Sequence, residues 1–186
     1  RRRDTQQRRE IEEAQLMQRA LLPRTLPMLP GLALAVHWEP ALGVAGDAFD
    51  ISLVDEHRLA LSISDVEGKG MPAALLMSNI QASVRAFATA ATPAQVCARL
   101  NESLVGQMPD GRFVTFFLGH LDPDTRRLSY ANAGHNPPIL RRRSGAVERL
   151  DRGGTVLGVF PDATYELGSA LLDRGDRLIL FTDGVV

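Results

Sequence analysis

Cysteine is almost missing from this chain of 186 residues: Cys97 stands alone, so no internal disulfide can form. No His-Cys pair with a phosphate-binding loop surrounds it, which argues against cysteine-nucleophile chemistry. Within the helical pattern Pro93-Ala94-Gln95-Val96-Cys97-Ala98-Arg99-Leu100 it reads as a small packed side chain. Net charge is also scarce. At -1 it gives no global pull toward nucleic acid or a membrane surface, and neither is expected as a partner. The basic runs Arg1-Arg2-Arg3 and Arg141-Arg142-Arg143 are local, and the second reads as a solvated loop after a strand. Long apolar runs are absent too: none approaches the roughly 20 residues that span a bilayer, and no signal-peptide pattern opens the chain. A cytoplasmic location is expected, or the soluble part of a larger signalling protein.

What is present is enough apolar material, 45%, to bury one core, most simply in one domain. Residues 4–22 contain no glycine or proline and carry Ile11, Ala14, Gln18 and Leu21 at three- and four-residue spacing. That stripe is narrow, as on a coiled-coil seam, and Pro23 ends it. The division expected is a linker helix over 1–22, able to pair with a second copy, and a domain over 23–186. A helix that opens on arginines suggests a longer chain upstream, with a sensor module there. Strand-like runs follow at 32–38, 48–54 and 58–64, the last two joined by the Asp55-Glu56-His57 turn. A helix is expected over 71–90, with Pro72 in its first turn, and another from Thr92-Pro93 to about 108. Strands are expected again at 113–121, 127–133, 139–142, 165–171 and 177–182. Strands on both sides of a helical pair, joined by short turns, indicate an α+β fold with antiparallel sheets.

The chemistry lies in three aspartates, each beside a small-residue turn at a strand edge: Asp47 in Gly46-Asp47-Ala48, Asp65 in Ser64-Asp65-Val66-Glu67-Gly68, and Asp183 in Thr182-Asp183-Gly184. They are too far apart in sequence for one ion-binding loop, so the fold must bring them together. A carboxylate set without His or Cys favours magnesium or manganese over zinc. Two such ions would lower the pKa of a water held between them and offset phosphoryl charge. The plainer alternative is that each aspartate caps its turn.

Five ordered stretches then resemble a known family. They are Ala20-Leu21-Leu22-Pro23, Pro40-Ala41-Leu42-Gly43-Val44-Ala45-Gly46-Asp47-Ala48-Phe49-Asp50, Ser64-Asp65-Val66-Glu67-Gly68-Lys69-Gly70-Met71-Pro72-Ala73-Ala74, Ala131-Asn132-Ala133-Gly134-His135-Asn136-Pro137-Pro138 and Thr182-Asp183-Gly184-Val185. In this order the chain is similar to bacterial sporulation stage II protein E-type phosphatases, within the metal-dependent protein phosphatase 2C-like superfamily. The resemblance implies an αββα sandwich of two antiparallel sheets flanked by helices, with a C-terminal part missing after Val186. It implies two Mn2+ or Mg2+ ions, held by Asp47, Asp65, the Val66 carbonyl and Asp183, with Asp65 bridging. It further implies phosphoserine or phosphothreonine as substrate, on a regulatory protein such as a phosphorylated anti-sigma factor antagonist.

Three departures from the family pattern bear on activity. Ala45 replaces a glycine, and at positive φ it would store about 1 kcal/mol of strain; Ala48 replaces a bulky residue beside it. A late Asp-Asp-Ala-Thr-like segment is not reached, so little activity is expected of these 186 residues alone. Glu67 stands where eukaryotic relatives place a histidine. His135 has two readings: an exposed proton donor near the site, or an imidazole bonded within its own turn. Lys69, before a helix start, has a phosphate-facing reading and a solvated one. His37, His57 and His120 read as structural or solvated. Two rival functions were weighed. Asp47 and Phe49 loosely resemble the Gly-Gly-Asp-Glu-Phe hairpin of diguanylate cyclases, but Ala48 removes the second acid. A phosphatase-like module that binds a signalling partner without turnover is the stronger rival.

Overall fold

The computed structural model describes residues 2–40, 43–109 and 111–185. Ala41 and Leu42, inside the second family-like stretch, lie outside the described residues, as do Arg1, Asp110 and Val186. The helices are α1 (Arg2–Leu21), α2 (Met71–Phe87) and α3 (Pro93–Leu104). The strands are β1 (Ala48–Leu53), β2 (Leu59–Val66), β3 (Val114–Asp122), β4 (Arg127–Ala133), β5 (Ile139–Arg141), β6 (Val147–Arg149), β7 (Gly153–Gly154), β8 (Gly168–Leu171) and β9 (Arg177–Ile179).

Strands β1 to β4 pair antiparallel in chain order, and β8 continues that sheet beside β4. The short β7 also joins β4 but runs parallel, the one departure from an antiparallel plan among the described pairs. A second, antiparallel sheet has the order β6-β5-β9. Alternation along the strands sends side chains to two different cores. Val66, Val114, Phe116 and Leu118 pack with Met77, Ile80, Val84, Val96 and Leu100 of α2 and α3. On the opposite face, Leu59, Leu61, Phe117 and Tyr130 pack with Leu140 and Leu178 of the smaller sheet. The result is a helix layer, a large sheet and a small sheet. Among the described residues no helix covers the outer face of the small sheet, where Val147 and Ile179 are exposed. Three of the four expected layers are therefore seen.

Local chemistry sets the helix ends. Thr92 and Gln95 form a reciprocal capping box at the start of α3. α3 ends at Leu104, four residues earlier than expected, with Gly106 at φ 79 just beyond it. In α2 the buried stripe Ala73, Met77, Ile80, Val84 has helical spacing, and the helix stops at Phe87 rather than residue 90. The run 32–38 forms no strand; it follows Gly31 at φ 80, and Leu32 and Leu34 instead pack individually on the inter-sheet core. Strands β6 and β7 were not foreseen. Val-Glu-Arg and Gly-Gly carry no alternation to reveal them.

The stripe on α1 turns inward at its C-terminal end. Gln18 and Leu22 are buried against this same domain, whereas Leu16 and Met17, on the other side, are 68% and 71% exposed. The Gln18 amide donates to the Ala45 carbonyl at 2.6 Å and accepts from the Ala45 N–H at 2.9 Å. The Leu21 carbonyl accepts from Gln81 and Arg85 of α2. A free seam along Ile11, Ala14, Gln18 and Leu21 is thus not what the chain presents. Replacing Gln18 by alanine strands two backbone groups of Ala45, so Gln18→Ala should cost about 1–3 kcal/mol in urea unfolding and speed amide exchange at 45–47. An unchanged midpoint and unchanged exchange would show that the contact carries no stability.

Candidate metal centre

Asp47 directly precedes β1, and Asp65 is the penultimate residue of β2. Their strands pair with Ala48 opposite Ser64, so one further step along the register sets Asp47 against Asp65. On the other side of β2, Asp65 stands opposite Thr115 of β3. All three positions share the strand phase of Leu61 and Phe117, which face the small sheet. Asp183 arrives from that small sheet. After β9 the chain runs through residues 180–182 without a ladder and enters a 3-10 turn, Asp183–Val185. Three carboxylates from two sheets therefore meet at one end of the inter-sheet cleft. Asp47 and Asp65 are half-buried and Asp183 is exposed.

Several contacts that sequence reasoning did not anticipate hold this arrangement. The Thr182 hydroxyl donates to Asp47 Oδ2 at 2.6 Å, linking the two sheets beside the carboxylates. Trp38 Nε1 donates to the Asp47 carbonyl at 3.1 Å. Arg112 donates to the Glu67 carbonyl at 3.1 Å, holding the turn after Asp65. Gly46 is required by contact: a Cβ there would lie 2.8 Å from the Val66 carbonyl oxygen. That approach brings the Val66 carbonyl beside the Asp47 loop. The strain expected at Ala45 is absent, because Arg126 is the only non-glycine residue at positive φ among those described.

The electrostatics set like charges against one another. Burial, then hydrogen bonding to Asp47, then the fields of Asp47, Asp183 and Glu67 push the Asp65 carboxyl up to about 7. Each cause favours the protonated form. No three His, Cys, Asp or Glu side chains already cage a single point among the described residues. The donors form an open set whose mutual repulsion a hard divalent cation would relieve, and an all-oxygen set suits magnesium or manganese. The residues present fit such ions.

His135 is not the exposed donor that its turn suggested. It is 4% exposed, and both ring nitrogens are engaged. Nε2 lies 3.1 Å from the Phe181 carbonyl and Nδ1 lies 2.7 Å from the Thr115 hydroxyl. A carbonyl can only accept, so Nε2 carries the hydrogen and Nδ1 accepts. Burial lowers the affinity of the ring for a second proton, against the fields of Asp47 and Asp183. Lys69 is exposed, with no hydrogen bond or ion pair among the described contacts. His120 is buried on the Ala88 carbonyl at 2.7 Å, while His37 and His57 lie exposed beside carboxylates, as a structural or solvated role requires.

The raised Asp65 carboxyl has a signed consequence. Its folded form holds a proton more tightly than an unfolded aspartate, so its contribution to stability is full below about 4. It is lost as the pH rises through about 7. A metal must displace that proton, so Mn2+ affinity should rise up to about tenfold per pH unit below 7 and level off above it. Calorimetry between pH 5.5 and 8.5 would measure this. A flat profile would mean that Asp65 is already ionised when the ion arrives.

A family model, stage II sporulation protein E (SpoIIE), matches residues 55–186. The phosphoserine phosphatase RsbU of Bacillus subtilis is 33% identical over 95% of this chain and 53% of its own length. The chain spans 32% to 53% of the length of three curated relatives it matches. Among solved structures, the SiaA-PP2C domain of Pseudomonas aeruginosa has a TM-score of 0.72 at 21% identity, covering 93% of this chain and 70% of that one. RsbX, solved in complex with magnesium, has a TM-score of 0.64 at 24% identity, covering 77% and 68%. These two show the shared fold. With the family model spanning both Asp65 and Asp183, the chain belongs to the stage II sporulation protein E (SpoIIE) family.

Proposed function

We propose that this chain is the catalytic part of a metal-dependent protein serine/threonine phosphatase. The observation that carries the proposal is the meeting of Asp47, Asp65 and Asp183 from two sheets, close enough that burial and their mutual fields raise the Asp65 carboxyl. Supporting it, the curated relatives RsbU and RsbP of Bacillus subtilis are named phosphoserine phosphatases. Asp47, Asp65, Asp183 and the Val66 carbonyl would hold two Mg2+ or Mn2+ ions. Such ions, when bound, supply an activated water and offset phosphoryl charge. The chain's own part is to hold the carboxylates still at strand ends. Thr182 orients Asp47, and the Gly46 approach keeps the Val66 carbonyl alongside. The substrate proposed is phosphoserine or phosphothreonine on a cytoplasmic regulatory protein of the anti-sigma factor antagonist class, with an upstream sensor controlling the reaction.

In the full-length protein, phosphate release from such a substrate should require Mn2+ or Mg2+. Asp65→Asn should lower turnover by at least about a hundredfold while the fold persists, because it removes one charge at constant shape. Turnover in excess chelator, or undiminished turnover by the variant, would refute the mechanism. A binding module without turnover was the rival reading. One of its motives, strain at Ala45, has no basis in the backbone.

Pairing of two copies through α1 is also part of the proposal, but on a face different from the stripe first expected. Gln18 and Leu22 are occupied within the domain, which leaves Leu16 and Met17 for a second copy. Leu16→Glu with Met17→Glu should convert a dimer to a monomer in sedimentation without lowering the unfolding midpoint. A full-length protein that is monomeric at tens of micromolar before substitution would exclude the pairing.

A further inference from the structure

We infer that His135 is a positioning residue that ties the Asp183 segment to the sheet carrying Asp65, an inference that rests on the metal-centre reading above. β9 ends at Ile179, and residues 180–182 have no ladder partner among the described residues, so nothing in the sheet itself fixes where Asp183 stands. Two side chains supply what the ladder does not. Thr182 reaches Asp47, and the His135 ring donates from Nε2 to the Phe181 carbonyl at 3.1 Å. The opposite ring nitrogen accepts from Thr115 at 2.7 Å, and Thr115 stands across from Asp65 in the β2–β3 register. One imidazole therefore spans from the neighbour of one carboxylate to the segment that carries another.

The ring is itself held from behind. The His135 N–H donates to Asn132 Oδ1 at 2.7 Å, and Asn132 Nδ2 donates to the His135 carbonyl at 3.0 Å and to the Leu150 carbonyl at 3.2 Å. Asn132 is 2% exposed. The turn before the ring is built for this placement, because Gly134 sits at φ 67 and a Cβ there would meet Val156 Cγ1 at 2.6 Å. A neutral ring with one donor and one acceptor, braced through its backbone by a buried amide, is suited to fix position rather than to exchange protons with solvent.

The test compares the wild-type chain with His135→Ala, His135→Gln and Thr115→Val. Each is read by Mn2+ affinity from electron paramagnetic resonance and by amide exchange at residues 181–183 without metal. Glutamine offers an N–H donor and an oxygen acceptor at similar reach, so His135→Gln should hold both readouts within about threefold of wild type. His135→Ala should lose at least about tenfold in Mn2+ affinity and exchange about tenfold faster at 181–183. Thr115→Val, which removes one bond at constant shape, should fall between the two. If His135→Ala fails to fold, the glutamine and valine variants decide. Unchanged exchange in His135→Ala overturns the inference, as does a glutamine variant as impaired as alanine, which would mean that ring packing alone matters. Should the wild type bind no Mn2+, the metal-centre reading fails, and the exchange measurement still decides whether His135 is the tether.

Discussion

Like charges forced together are the constraint on which the rest of this structure depends. Two carboxylates about 4 Å apart repel by about 4 kcal/mol at the effective dielectric of a protein surface. Here Asp47 and Asp65 face each other across a strand pair, with Asp183 and Glu67 adding their fields. Burial first, and this repulsion with it, favours a proton on Asp65 and pushes its carboxyl up to about 7. A divalent ion would relieve the repulsion more completely. A site that is unfavourable alone in this way suits the hard cations proposed for it.

Holding such a site open demands rigidity from elsewhere. Asp47 and Asp65 sit at the ends of strands whose side chains are packed on both faces, by α2 and α3 on one side and by the small sheet on the other. Neither carboxylate can retreat without shifting a strand. Asp183 has less such support: its segment has left the small sheet after Ile179, with Leu180 still packed on the inter-sheet core. Its placement falls to the hydroxyl of Thr182 and the imidazole of His135, both reaching across the gap between sheets. One half of the centre is fixed by strands packed on both faces, and the other half by two hydrogen bonds beside the packed Leu180.

That division also explains what could be read from sequence. Asp47, Asp65 and Asp183 were legible because a strand, an acid and a small-residue turn are neighbours along the chain. Strands β1 to β5 and the two central helices were legible from local period and caps such as Thr92-Pro93. What could not be read depends on partners distant in sequence. Whether the Gly134-His135 turn lies open or closed is decided by Thr115 and Phe181, which no local pattern joins to it. Residues 32–38 have strand-like composition, yet they end as single leucines packed on a core because no strand edge receives them. Two-residue β7 exists only because Asn132 and Ala133 lie beside it.

Gln18 shows the same limit from the other side. The sequence shows Gln18 only as one member of a narrow stripe with Ile11, Ala14 and Leu21; in a coiled coil one buried amide costs stability but selects a single alignment. The amide does select an alignment, but with Ala45 of its own domain. A leucine at this position would bury more apolar surface and would tolerate sliding by a turn. The amide cannot slide, because its donor and acceptor match the carbonyl and N–H of one residue, and leaving either unpaired in a buried position is costly. The residue that α1 grips lies two positions before Asp47. The seating of α1 is thus tied, through one pair of hydrogen bonds, to the loop that leads into the first carboxylate.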